Sequence, residues 1–233
     1  MKIAILKCDE VLEELQVEHV SYTNMIQDMF VSVGHHFDIE IFNCQLSHYP
    51  EDIDAYDFYI TTGSRAGVYE DEPWIKQLID FTRLLDEHKK KLIGICFGHQ
   101  IIAMAQHQQV QRSDKGWGVG IAVNRIVAMP DWMSKKATEL NIIVSHRDQV
   151  ISIPEEAVVI AESDFCPHFV VQWNDHFLSI QGHPEWNTDY SRALMNKRRA
   201  IIPAERIEAG LSSLTKTPDN MLFARWIIDF VEH

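Results

Sequence analysis

The stretch Lys91-Leu92-Ile93-Gly94-Ile95-Cys96-Phe97-Gly98-His99-Gln100 decides the fold. Leu92, Ile93 and Ile95 give the short apolar run of a strand covered on both faces, as in parallel sheets. Ile101, Ile102 and Ala105 then recur at helical spacing. No loop separates the two patterns, so Cys96 sits at a strand-to-helix elbow. Gly94 and Gly98 flank it and leave room where larger side chains collide. Such an elbow holds its central residue out at the carboxyl edge of the sheet. The following helix aims its positive end at that residue, an environment that activates a sulfur nucleophile.

A lone free cysteine is more often a small buried hydrophobe than a nucleophile. A second motif changes the reading. Phe177-Leu178-Ser179-Ile180-Gln181 reads as another strand, and Gly182-His183-Pro184-Glu185 turns at its end. His183 is suited to take a thiol proton, and Glu185, two residues on, to orient the imidazole and stabilise its cation. Pro184 stiffens the link by fixing its own backbone dihedral. Packing needs alone do not explain two strand ends that each carry part of a Cys-His-Glu set.

Outward from these motifs, strands and helices alternate. Lys2 to Leu6 reads as a buried strand, Tyr22 to Val33 as an amphipathic helix, and Phe37 to Phe42 and Tyr56 to Thr61 as further strands. Pro73 opens a long helix to about Lys89, with Trp74, Ile75, Leu78, Ile79 and Leu84 as its apolar stripe. After residue 107 the pattern is mostly strands: Gln109 to Arg112, Val119 to Val127, Asn141 to Ser145, Ala157 to Glu162, Phe169 to Trp173 and Phe177 to Gln181. Helices return from Thr188, which caps the first of them unless Asn187 does. The expectation is one α/β domain over residues 1–233. Its doubly wound, mostly parallel central sheet is flanked by helices and carries an antiparallel extension. Asn187 to Ser213 exceeds a plain connection. Its run Lys197-Arg198-Arg199 is expected to be a solvated helix end, with a lid or partner surface over the active site as the alternative.

The chain has 233 residues, 46% of them hydrophobic, and a net charge of −13. That size suits one large core, and that charge argues against nucleic-acid backbones and anionic membrane surfaces. Cys8, Cys44, Cys96 and Cys166 lack C-x-x-C spacing, so neither a disulfide scaffold nor a zinc site is expected. Cys8 and Cys44 read as core or strand-end residues, and Cys166 as structural. The histidines show no metal-ligand spacing, and no metal or cofactor is predicted. Gly116-x-Gly118-x-Gly120 precedes a strand instead of opening a helix and is rejected as a dinucleotide fingerprint. Met1 to Lys7 is a strand, not a signal peptide, and no apolar run reaches transmembrane length. A cytoplasmic protein is expected.

The elbow Gly94-Ile95-Cys96-Phe97-Gly98-His99-Gln100, taken with Gly182-His183-Pro184-Glu185, resembles the class I glutamine amidotransferases, whose fold is flavodoxin-like. The nearest likeness is to the amidotransferase domain of GMP synthase and to stand-alone gamma-glutamyl peptidases. The resemblance implies that Cys96 attacks a glutamine side-chain amide, that His183 is base and then acid, and that Glu185 orients His183. It implies an oxyanion hole from the backbone N–H groups of Phe97 and Gly63. In Thr61-Thr62-Gly63-Ser64-Arg65, Thr62 and Ser64 stand where the commoner pattern has glycine and proline. Gln100 matches a substrate-gripping position. Ser145-His146-Arg147-Asp148 resembles the family's substrate loop, so Ser145 and His146 are expected at the substrate, with Arg147 replacing the usual glycine. His99 is expected to be an ordinary helix residue.

The function expected is release of ammonia from glutamine through the Cys96-His183-Glu185 triad. The chain leaves no space for a synthetase domain, so the ammonia acceptor is expected on a separate chain. The small-molecule substrate is glutamine or another gamma-glutamyl compound. The alternatives are a stand-alone gamma-glutamyl peptidase and a non-catalytic binding or regulatory module.

Overall fold

Alternation within single strands divides the molecule into layers. In β1 (Lys2–Lys7), Ile3 and Ile5 point to one face of the sheet, while Ala4 and Leu6 point to the other. This is the period-two consequence of the pleat. The structure, a computed structural model, describes residues 1–233. After β1 come α1 (Gln16–His19), α2 (Tyr22–Ser32), β2 (Asp38–Asn43), β3 (Phe58–Thr61), α3 (Pro73–Glu87), β4 (Leu92–Ile95) and α4 (Phe97–Ala105). Then follow β5 (Val110–Arg112), β6 (Gly118–Ile126), β7 (Glu139–His146), β8 (Asp148–Val150), β9 (Val158–Glu162), β10 (Val170–Gln172) and β11 (Phe177–Ile180). The chain closes with α5 (Thr188–Lys197), α6 (Ala204–Ser213) and α7 (Asn220–Glu232).

Nine strands form one sheet in the order β2-β1-β3-β4-β11-β10-β9-β6-β7. The first five in that order pair in parallel, and β10, β9, β6 and β7 continue antiparallel. The mostly parallel sheet with an antiparallel extension is therefore as expected from the sequence. One face packs on α2 and α7 through Ile26, Phe30, Phe223 and Ile227. The other packs on α3 and α4 through Ile75, Leu78, Ile101 and Ile102. Each such residue, fully buried, contributes about 1.5–3 kcal/mol. Helix starts follow local chemistry: Ser21 caps α2, Pro73 occupies the first turn of α3, and Asn187 caps α5 by accepting from the Tyr190 N–H at 2.8 Å.

The structure corrects two details. Leu84 is exposed, and the buried stripe of α3 runs instead through Phe81 and Leu85. Seven residues bring Leu85 back onto the Leu78 face, whereas Leu84 lies about 100° away toward solvent. The strand Val110–Arg112 leaves the main sheet and pairs with Asp148–Val150 in a separate two-stranded ribbon. The partner strand is too short and polar to carry a pattern of its own. No helix is long and apolar enough to cross a membrane.

Candidate active site

Two adjacent strands bring the two motifs together. β4 and β11 run parallel in register, with Ile95 opposite Ile180, so their carboxyl ends lie at the same sheet edge. Cys96 follows β4, and its N–H donates to the Ile180 carbonyl at 2.8 Å. His183 follows β11, and its N–H donates to the Ile143 carbonyl of β7 at 2.8 Å. A shared parallel edge thus places side chains 87 positions apart in sequence at one site.

The elbow is strained at the sulfur-bearing residue. Cys96 has φ 50° and ψ −94°, a conformation that costs a residue with a β-carbon about 1–3 kcal/mol. Both neighbouring glycines are required by contact. A β-carbon on Gly94 meets Ile102 Cδ1 at 2.7 Å and the Gly98 backbone at 2.8 Å. One on Gly98 meets Thr61 Oγ1 at 1.7 Å. Thr61 Oγ1 itself accepts from the Ile95 N–H, so α4, β3 and β4 lock at this point.

His183 is buried, with Nδ1 2.8 Å from Glu185 Oε1. Trp186 stacks flat on the imidazole, centroids 3.6 Å apart and planes 11° apart. Trp186 is held in turn by edge contact with Tyr190 and by stacking with Tyr22. Burial opposes a charged His183, but the neighbouring Cys96 sulfur and Glu185 carboxylate outweigh it, and the imidazole is pushed up to about 9. Gly63 lies against the Cε1 edge of the ring: a β-carbon there would lie 2.7 Å from His183 Cε1. The loop carrying Gly63 is tied down by Arg65, which donates through Nε and NH2 to Asp9 at 2.9 and 2.7 Å. Burial works against the Asp9 charge, but these bonds hold its carboxyl below the usual range.

Cys96, Phe97, Gly63, Gln100, Ser145, His146 and His183 all line one cavity of about 320 Å³. Glu185 stands behind His183, outside the cavity wall. The Gly63 N–H makes no backbone hydrogen bond, leaving it available to a developing oxyanion. Gln100 uses its Nε2 on the Asp148 carbonyl and on Gln181 Oε1, each at 3.1 Å, so its oxygen is the atom left for a ligand. His146 is buried against Phe165, and its Nδ1–H donates to the Asp148 carbonyl at 3.1 Å. Burial, together with the nearby His183 charge, lowers it to about 4 despite the Asp148 bond, so it is neutral near pH 7. His99 is more than a routine helix residue. It is wholly buried, and its Nδ1 meets Ser179 Oγ at 2.7 Å. Cys166 is buried and pushed up to about 12 by burial, which fits a structural thiol.

Two side chains at the site, Gln181 and Trp186, were not singled out from the sequence, and a third, Arg198, was expected first as part of a solvated helix end. Gln181 donates from Nε2 to Cys96 Sγ at 3.6 Å. Its signal was a polar amide closing an apolar strand. Trp186, directly after Glu185, carries the stacking described above. Arg198 reaches from the end of α5 into the cavity wall and donates through NH1 to Ser145 Oγ at 2.9 Å. The solvated reading of the basic run fails for this residue, because the helix end lies against β7 and not free in solvent.

Residues 17–201 match the model of the family described as glutamine amidotransferase class-I. The chain is 33% identical over 202 residues to gamma-glutamyl peptidase 2 of Arabidopsis thaliana, covering 84% of this chain and 81% of that protein. It is 30% identical over 95 residues to one subunit of the glutamine-hydrolyzing GMP synthase of Halobacterium salinarum, covering 40% of this chain and 52% of that protein. Its fold is similar to that of a glutamine amidotransferase from Thermotoga maritima, with a TM-score of 0.77, 17% identity and full coverage of both chains.

Proposed function

Because the chain belongs to the class I glutamine amidotransferase family, we propose that it is a cysteine hydrolase of gamma-glutamyl amides. Cys96 attacks the gamma carbonyl, and the Gly63 and Phe97 N–H groups receive the developing oxyanion. The C–N bond breaks as His183 gives its proton to the departing amine, leaving a gamma-glutamyl thioester on Cys96. His183 then takes a proton from water, which attacks the thioester and releases glutamate and the free thiol. Glu185 holds the imidazole orientation through Nδ1 and stabilises its cation. The observation that carries this reading is His183, clamped between Glu185, Trp186 and Gly63 beside Cys96 and holding its proton to about pH 9.

Hydrolysis by the chain itself is the preferred form. The similarity to a protein named gamma-glutamyl peptidase spans about four-fifths of both chains, whereas that to the GMP synthase protein spans 40% of this one. The second reading, supported by the latter, is ammonia release from glutamine for a separate synthetase chain. The purified chain, without ATP, is offered glutamine, gamma-glutamyl dipeptides and glutathione. Fast turnover of the peptides is expected. Turnover of glutamine alone supports the second reading, and turnover of none contradicts both.

A further inference from the structure

The cavity that holds Cys96 is cationic, although the chain carries a net −13. Its wall presents Arg65, Arg112, Arg147 and Arg198 against Glu70 and Asp148. Local charge opposite to that of the whole molecule favours an anionic ligand. The arginines are not equivalent. Arg65 is committed to Asp9 by a two-pronged bond. Arg112 and Arg147 are exposed, where water and salt screen them.

Arg198 differs from these. It is half-buried, and the one group it grips is the neutral Ser145 hydroxyl. Its backbone is fixed: its N–H donates to Leu194 and Met195, and its carbonyl accepts from Ile201 and Ile202. The side chain therefore starts from a rigid point. A guanidinium carries five N–H donors, and Ser145 uses one. A partly desolvated cation without an anion is unfavourable until a ligand supplies one.

We propose that Arg198 receives a substrate carboxylate in the Cys96 cavity and so sets which gamma-glutamyl compounds are accepted. The inference rests on the hydrolase reading above. Two carboxylates qualify. Every gamma-glutamyl compound has one on its own α-carbon, and a gamma-glutamyl peptide has a second at the end of its leaving group. Both present the planar acceptor pair that a guanidinium fork fits.

The test compares glutamine with glutamine α-amide, and gamma-glutamylalanine with its C-terminal amide, on the unmodified chain, Arg198→Ala and Arg198→Lys. The unmodified chain should prefer acid over amide at one of the two positions, by roughly tenfold to a hundredfold in kcat/KM and mainly through KM. Arg198→Ala should erase that preference and leave the ratio at the other position intact. Arg198→Lys, which keeps the charge without the fork, should retain part of it. The ratio that collapses identifies the carboxylate. Each ratio is internal to one variant, so Arg198→Lys carries the comparison if Arg198→Ala fails to fold. Unchanged ratios at both positions in the substituted chains, or no preference in the unmodified chain, would overturn the inference while leaving hydrolysis intact. No turnover of any of the four by the unmodified chain would remove the hydrolase reading, and the inference with it.

Discussion

At the scale of the residue, the chemistry turns on where His183 keeps its proton. An imidazole raised to about 9 is still charged at neutral pH. It can then protonate a departing amine and serve as base once that proton is gone. A raised value means the charged form persists as pH climbs and is lost only above about 9. The kcat/KM profile of the free enzyme should therefore fall on its alkaline side near that pH. Glu185→Gln keeps the shape but removes a charge that raises His183. The falling limb should then move down toward the ordinary histidine value of 6.5, and kcat at neutral pH should drop by about 10². Rate profiles of the two proteins from pH 5 to 10 check this (roughly the range over which an unperturbed or raised histidine titrates). An unmoved limb would assign the proton to another group.

At the scale of the element, α4 must dock within contact of β3 and β4 for the sulfur and the Phe97 N–H to face the cavity. Gly98→Ala inserts a methyl 1.7 Å from Thr61 Oγ1 and 2.7 Å from Thr61 Cβ. The helix must lift, at a cost of about 1–3 kcal/mol, and activity should fall further than stability because the elbow moves with it. A denaturant midpoint equal to that of the unmodified chain would show that α4 is not fixed at this contact. This contact also shows what the sequence made legible. The elbow, its glycines and the buried run before it are contiguous, so local sterics and periodicity expose them. The Gly182-His183-Pro184-Glu185 turn was legible for the same reason. Asp148–Val150 was not, because that strand exists only through its pairing with Val110–Arg112. Gln181, Trp186 and Arg198 acquire their roles from neighbours distant in sequence. A basic residue that turns inward at a helix end leaves the same local pattern as its outward-facing neighbours Lys197 and Arg199.

At the scale of the whole molecule, the sheet order does the assembling. β4 and β11 are adjacent, parallel and central, so their ends present Cys96 and His183 from the most buried part of the fold. The antiparallel extension brings β7, and with it Ser145 and His146, to the same edge, and α5 closes over it with Arg198. Every group the proposed reaction needs thus comes from this one chain, so hydrolysis should proceed in isolation. The most direct measurement is covalent. The purified chain is treated with a thiol-directed electrophilic glutamine analogue, digested, and mapped by mass spectrometry while turnover is followed. The account predicts one label per chain, on Cys96, with activity lost in proportion and protected by substrate. Label on Cys8, Cys44 or Cys166 with activity retained, or a Cys96→Ser variant that still turns over substrate at the unmodified rate, would contradict it.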